Sequence, residues 1–154
     1  MRNGIGLCHC KGVIHRDIKP KNILITDSLE AKITDFGVAI VPHLQEGITP
    51  EHAGSPLYMA PEQLRLEKVT NQCDLFSLGV VAYELLTGKH PFEGRNMDAI
   101  KYRIQDTPAT PVHEFRADIP DIYQRIIDKA LAKNPEHRYK SGADFAGDLS
   151  LVYD

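Results

Sequence analysis

The chain has 154 residues, of which 42% are hydrophobic and 25% are charged. This is the balance of one folded globular domain rather than of a disordered or fibrous protein. Its 18 basic and 21 acidic residues give a formal net charge of -3, so the chain lacks the positive excess that binds nucleic acid or an anionic membrane. No stretch reaches the roughly 18 consecutive apolar residues of a membrane span, and the N-terminus lacks the order of a signal peptide. We therefore expect a cytoplasmic protein with no nucleic acid partner and no membrane span.

The chain has three cysteines, Cys8, Cys10 and Cys73. This number is small and odd, which does not fit a disulfide framework. The run Cys8-His9-Cys10, with His15 nearby, raises the alternative of a zinc site. A single residue between two cysteines is not the usual zinc spacing, and no second pair of ligands follows at a suitable distance. We favour two small side chains near the end of a helix.

The first predicted element is the end of a helix, because the apolar residues Ile5, Leu7 and Cys8 precede Lys11-Gly12, a typical glycine C-cap. No capping residue comes before this helix, so we expect its true start to lie in sequence that precedes this chain.

A short β-hairpin follows, with one strand over residues 22–26, a turn over 27–30 and a second strand over 31–34. Residues 38–59 contain three prolines and two glycines without sustained periodicity. They predict a long irregular segment, and loops of that length in a compact domain are usually functional or mobile.

The rest of the chain is predicted to be helical. Residues 74–86 are apolar nearly all round, which indicates a helix in the middle of the core. Residues 96–105 predict a short amphipathic helix, and an apolar stripe from Ile119 to Leu131 predicts another, stopped by Asn134-Pro135. A final helix is expected from about residue 141 to residue 152, after a serine or glycine cap. The predicted fold class is α+β, mainly α.

Two motifs flank the hairpin. His15-Arg16-Asp17 is followed four residues later by Asn22, and Asp35-Phe36-Gly37 comes directly after the second strand. A lone Asp or Asn is usually a cap or turn, and a lone Asp-Phe-Gly is more often a strand-ending turn than a metal site. Both motifs in this order, on either side of a hairpin, make coincidence negligible.

These residue types fit phosphoryl transfer, which needs a carboxylate near the nucleophile, oxygen ligands for magnesium and cations that balance developing charge. Asp17 is the predicted base, and Asn22 and Asp35 are the predicted oxygen ligands of Mg²⁺. Lys19, two residues past the base, is predicted to lie beside the transferred phosphoryl group.

On these motifs the chain resembles the C-terminal lobe of a serine/threonine protein kinase, with the bacterial form of one motif in Met59-Ala60-Pro61-Glu62-Gln63. Residues 54–62 are similar to the end of the activation segment of that family. Lys19 and Ser55 match its serine/threonine subgroup rather than its tyrosine-specific one. The resemblance covers nearly the whole of residues 1–154. It implies a kinase-like lobe whose hairpin carries the catalytic and metal-binding loops, ATP and Mg²⁺ as cofactors, and protein substrates with Ser or Thr hydroxyls.

The resemblance also implies three structural residues. Asp74 matches the aspartate that holds the backbone of the catalytic loop, although Phe76 stands where Trp or Tyr is commoner. Glu62 and Arg138 match a buried ion pair.

Regulation is implied by Arg16, which stands next to the predicted base as in kinases that are switched on by phosphorylation. Thr49 is the candidate acceptor in the activation segment, and Ser55 belongs to the same regulatory segment. An ordinary loop threonine before Pro50 is an equally good interpretation of Thr49.

Kinases also have a glycine-rich loop and a strand lysine that hold the nucleotide phosphates. Gly4-Ile5-Gly6 is not that loop, because the third glycine of G-x-G-x-x-G would fall at His9. We therefore expect a kinase fragment without its N-terminal ATP-binding lobe, inactive alone, for which a missing N-terminal lobe is one potential partner.

Two other functions stay open at this point. The first is a non-catalytic binding module, which would have no need of the metal ligands. The second is a small-molecule phosphotransferase of the aminoglycoside-kinase type, whose relatives lack the Ala-Pro-Glu segment and the partner of Arg138.

Overall fold

A computed structural model describes residues 4–42 and 53–150 of the chain. The described elements are helix α1 (Gly4–Cys10), strands β1 (Ile23–Ile25) and β2 (Ala31–Ile33), and helices α2 (Pro61–Leu64), α3 (Gln72–Thr87), α4 (Met97–Asp106), α5 (Asp121–Ala130) and α6 (Gly142–Ser150). Short 3₁₀ turns lie at Pro20–Asn22, Pro56–Tyr58, Val112–Glu114 and Pro135–His137. The fold is mainly α with one small antiparallel sheet, in agreement with the predicted class. None of the helices in these ranges combines the length and the apolar character that crossing a bilayer requires.

Helix α3 lies at the centre of the core. Phe76 and Tyr83 on this helix are fully buried, and Phe76 stacks on Phe92 with 6.1 Å between the ring centroids. The prediction of a helix buried all round is wrong at Leu85, which is 83% exposed. The last turn of α3 reaches the surface there, next to Gly88, whose left-handed φ of 69° ends the helix.

The predicted hairpin is confirmed. Strands β1 and β2 pair antiparallel, with Ile23 opposite Ile33 and Ile25 opposite Ala31. A second pairing was not predicted: Ile14 and Ile40 exchange two backbone hydrogen bonds of 2.8 Å. This bridge closes residues 15–39 into one loop. The residue just before the first motif is therefore paired with a residue shortly after the second motif.

The predicted caps at the end of α1 and at the start of α6 are confirmed. Gly12 ends α1 with a left-handed φ of 72°, and its N–H donates to the carbonyl of His9 at 2.9 Å. Helix α6 is capped by Ser141, whose Oγ accepts from the N–H of Asp144 at 3.1 Å. The predicted end of α6 at Val152 lies outside the described residues.

The bounds predicted for α5 need correction. The helix begins after Ile119 and ends at Ala130, four residues before Asn134. The side chain of Asn134 accepts from the N–H of Glu136 at 2.9 Å, so Asn134 caps the following 3₁₀ turn rather than stopping α5.

A buried ion pair joins α2 to the segment after α5. Glu62 and Arg138 are 3% and 2% exposed, and two parallel hydrogen bonds of 2.7 and 2.8 Å connect the carboxylate to the guanidinium. The guanidinium also donates to the backbone carbonyls of Gln72, Ala132 and Lys133. All five of its N–H groups therefore have acceptors, which is the condition under which a charged pair is tolerated in a core.

We predict that Glu62→Gln lowers the free energy of unfolding by about 3–5 kcal/mol, because it leaves the buried Arg138 charge without its counter-ion. Arg138→Met should have a similar effect, and the double variant should cost less than the two single variants added together. Urea denaturation measures all three.

Asp118→Asn is the control for this cycle, because it breaks the exposed pair between Arg116 and Asp118. It should leave the urea midpoint unchanged. Strictly additive effects of Glu62→Gln and Arg138→Met would contradict the prediction.

Candidate active site

The carboxylate of Asp17 lies where three hydrogen-bond donors meet, in the loop between α1 and β1. Lys19 Nζ and Asn22 Nδ2 donate to Oδ2 at 2.7 and 3.1 Å. The backbone N–H of Ser55 donates to Oδ1 at 2.8 Å. The structure thus brings together Asp17, Lys19 and Asn22, and it adds Ser55 from a segment more than thirty residues further along the chain.

These contacts keep Asp17 ionised. Partial burial by itself would raise the pKa of Asp17, but the hydrogen bonds from Lys19 and Ser55 outweigh it, and the pKa lies below its ordinary value. At neutral pH the site therefore presents a carboxylate that accepts hydrogen bonds and does not donate them.

Lys19 connects the catalytic loop to the segment that precedes α2. Besides its bond to Asp17, its Nζ donates to Ser55 Oγ at 2.7 Å. Because the backbone N–H of Ser55 also bonds to Asp17, the three residues form a closed ring of hydrogen bonds. The positions of Asp17 and of this segment are consequently coupled.

The oxygen of the Asn22 side chain is left for another partner. Asn22 is 5% exposed, and its Nδ2 donates both to the backbone carbonyl and to the carboxylate of Asp17. Within residues 4–42 and 53–150 no hydrogen bond reaches Asn22 Oδ1. The oxygen and the nitrogen of an amide are separate atoms, so this oxygen can accept a cation while the nitrogen donates to Asp17.

Asp35 stands directly after the segment that pairs with Asn22. The backbone N–H of Thr34 donates to the carbonyl of Asn22 at 2.9 Å, and Asp35 then turns with a left-handed φ of 58°. Its carboxylate is exposed and accepts from the N–H of Gly37 at 3.2 Å through Oδ1. An amide oxygen and a carboxylate are hard donors, and they fit Mg²⁺, which takes its remaining ligands from water and substrate phosphates.

His15 joins the two loops. Its Nδ1 accepts from the N–H of Asp17 at 3.2 Å, so the proton is on Nε2, which donates to the carbonyl of Thr34 at 2.9 Å. Its ring also meets the ring of Phe36 edge-on, with 4.7 Å between centroids. Both ring nitrogens of His15 form hydrogen bonds within the protein. These contacts account for His15 at this position without a role as a zinc ligand.

Asp74, on helix α3, anchors the loop that carries Asp17. This carboxylate is completely buried and accepts from the backbone N–H groups of His15 and Arg16 at 2.9 and 2.8 Å. It also accepts from His9 Nε2 at 2.9 Å, a contact that sequence reasoning missed. Arg16 has a left-handed φ of 68°, a conformation that costs a non-glycine residue on the order of 1–3 kcal/mol and persists only where its surroundings fix it.

Arg16 is enclosed on its other sides as well. Its Nε donates to the carbonyl of Val38 at 2.7 Å, and its own carbonyl accepts from Gln63 Nε2 at 3.2 Å. Gly54, with φ of 103°, packs against the same carbonyl so closely that any Cβ there would clash with it. Sequence reasoning missed Gln63. Thr49, the predicted phosphate acceptor for Arg16, lies outside the described residues.

We predict that Lys19→Met raises the pKa of Asp17, because the hydrogen bond from Lys19 is the strongest influence that lowers it. In the native chain this depressed pKa stabilises the fold above about pH 4, and the contribution is lost as the pH falls through the folded-state pKa. The carboxyl ¹³C shift of Asp17 followed against pH measures the change. Lys21→Met, at an exposed neighbouring lysine, is the matched control, and an equal pKa in both variants would contradict the prediction.

The family model described as "Protein kinase domain" matches residues 1–144. The chain is 38% identical over 154 residues to serine/threonine-protein kinase PknB of Mycolicibacterium smegmatis, covering 97% of this chain and 24% of that protein. It is 35% identical over 156 residues to serine/threonine-protein kinase PrkC of Bacillus subtilis, covering 99% of this chain and 24% of that protein.

The chain thus spans about a quarter of the length of the curated relatives it matches. The family model covers most of the chain, and the alignments with these relatives cover nearly all of it. Together with the loop that carries Asp17 and the hairpin behind it, they establish that the chain belongs to the protein kinase family.

Proposed function

We propose that this chain is the C-terminal lobe of a protein serine/threonine kinase and supplies the residues that transfer a phosphoryl group from ATP to a Ser or Thr hydroxyl. The observation that supports this most is the Asp17 carboxylate, held at 2.7–3.1 Å by Lys19, Asn22 and the N–H of Ser55. Kinases contribute mainly positioning and electrostatic stabilisation, and a base fixed at three points meets that need.

Asp17 would orient the substrate hydroxyl by accepting its hydrogen bond. Because the pKa of Asp17 is low, its carboxylate is a weak base toward an intact alcohol. The proton passes to Asp17 only as the hydroxyl oxygen forms its bond to phosphorus and the bond from phosphorus to the nucleotide oxygen breaks.

Lys19 would place its ammonium group beside the transferred phosphoryl group. Its bonds to Asp17 and Ser55 fix the side chain before the substrate binds, so little reorganisation is needed during the reaction. The match of Lys19 and Ser55 to the serine/threonine subgroup supports serine and threonine as the acceptor residues, and the two side chains contact each other here.

Asn22 and Asp35 would hold magnesium. When bound, the ion supplies positive charge that neutralises the phosphate oxygens of the nucleotide. The chain's own contribution is to present one neutral oxygen, on Asn22, and one anionic carboxylate, on Asp35, from two loops that the backbone pairing of Asn22 with Thr34 joins.

The other two functions have less support. A binding module without catalysis would not need a pre-formed ring of hydrogen bonds around Asp17. A small-molecule phosphotransferase would not need the Glu62–Arg138 pair, which is present and buried.

Binding of the nucleotide phosphates in a kinase also requires a glycine-rich loop. The 154 residues contain no G-x-G-x-x-G motif, so we expect them to transfer phosphate very slowly by themselves. The proposal therefore requires an assay both of this chain and of a fusion that places a kinase nucleotide-binding lobe in front of it.

In that fusion we expect phosphate transfer from ³²P-labelled ATP to serine and threonine residues of a protein substrate, with Mg²⁺ required. Asp17→Asn should lower the rate by about 10²–10⁴-fold, because it removes the group that receives the proton. Asp27→Asn, in the exposed hairpin turn, is the matched control and should leave the rate unchanged.

Equal rates for Asp17→Asn and Asp27→Asn would overturn the proposal. Label found only on a small molecule, with none on protein, would favour the small-molecule phosphotransferase instead.

A further inference from the structure

We infer that Gln63 is a positioning residue of this site: its side-chain amide fixes the peptide group between Arg16 and Asp17 and thereby the direction of the catalytic carboxylate. The inference rests on the proposed function, because it assigns Gln63 to the same site.

The amide of Gln63 uses its two ends for two different tasks. Its Oε1 accepts from the N–H of Ala60 at 2.9 Å at the start of α2, and its Nε2 donates to the carbonyl of Arg16 at 3.2 Å. A glutamate at this position would serve the first task equally well, since helix capping of this kind accepts Glu or Gln. Only glutamine has the N–H that the second task requires.

The peptide that Gln63 contacts is held on both sides. A trans peptide is planar, with its carbonyl oxygen and its N–H pointing in opposite directions. Gln63 donates to the oxygen, on Arg16, while the N–H, on Asp17, donates to His15 Nδ1 at 3.2 Å. Together these two bonds fix the plane from which the side chain of Asp17 departs.

Gln63 can act as a fixed point because α2 is itself anchored. The neighbouring residue Glu62 is bound by Arg138 in the core. Gly54 packs on the same Arg16 carbonyl, and the next residue, Ser55, donates to Asp17 Oδ1. The end of the activation segment and the catalytic loop therefore meet at this one peptide, with Gln63 as the hydrogen-bonding link from α2.

Gln63→Glu tests the inference, because it keeps the acceptor for Ala60 but replaces the donor to Arg16 with a carboxylate oxygen. Gln72→Glu is the matched control. Gln72 Nε2 also donates to backbone carbonyls, those of Pro135 and Tyr139, on segments outside the site. Both variants thus lose the same chemical group and gain the same charge.

The readout is amide hydrogen exchange in the 154-residue chain, followed by NMR. In Gln63→Glu the amides of Asp17 and Ser55 should exchange about tenfold faster, which is the effect of roughly one net hydrogen bond. The amide of Val80, in the middle of α3, should keep its native rate. In Gln72→Glu all three amides should keep their native rates.

Unchanged exchange at Asp17 and Ser55 in Gln63→Glu would overturn the inference. So would an equal rise at Val80, which would mean general loosening of the fold. If Gln63→Glu does not fold, Gln63→Met decides by the same criteria, since it lacks the donor and adds no charge.

A second readout is kinetic and uses the lobe fusion. Gln63→Glu should lower kcat about tenfold and leave the KM for ATP within about twofold, because misplacement of the base affects the transfer step more than nucleotide binding. An unchanged kcat would count against the inference. If the native fusion itself transfers no phosphate, the proposed function fails, whereas the exchange experiment still decides whether Gln63 positions Asp17.

Discussion

The geometry of the whole site depends on one buried carboxylate. Asp74 is on α3, the helix at the centre of the core, and it accepts hydrogen bonds from the backbone of His15 and Arg16 and from the ring of His9. A charge removed from water is costly unless hydrogen bonds replace its hydration, and here three N–H donors and the more distant Cys73 thiol do so. The consequence is that the loop that carries Asp17 is attached to the central helix α3, and the unfavourable φ of Arg16 is maintained.

From that anchor, hydrogen bonds extend to two segments that are distant in sequence. His15 connects the catalytic loop to the end of β2 through Thr34, and Lys19 connects it to Ser55. Asp17 lies where these connections meet, with a pKa held low by Lys19 and Ser55 against the opposing effect of burial. A site built in this way has its charges and donors in place before a substrate arrives, which is what the proposed phosphoryl transfer would require.

The segment that ends in α2 belongs to the same network of hydrogen bonds. Glu62 and Gln63 are adjacent, yet they serve different purposes. Glu62 is bound by Arg138 and fixes α2 to the core, and Gln63 reaches from the fixed helix to the carbonyl of Arg16. Two consecutive side chains thus link the stability of the fold to the orientation of the loop that carries Asp17. Any process that moves α2 is expected to reach Asp17 through this link.

The sequence by itself determined the features that depend on neighbours in the chain: the hairpin and the caps at Gly12 and Ser141. The chemistry of Asp17, Asn22 and Asp35 stays a prediction from their residue types and spacing. Only the tertiary structure decided that His9 and Gln63 belong to the site, because each bonds to a residue more than forty positions away. It also decided that Leu85 is exposed, since periodicity shows which residues are apolar but not which part of a helix its neighbours cover. Contacts between distant segments leave no periodic pattern, so a hydrogen-bonded histidine or glutamine looks the same in sequence as an exposed one.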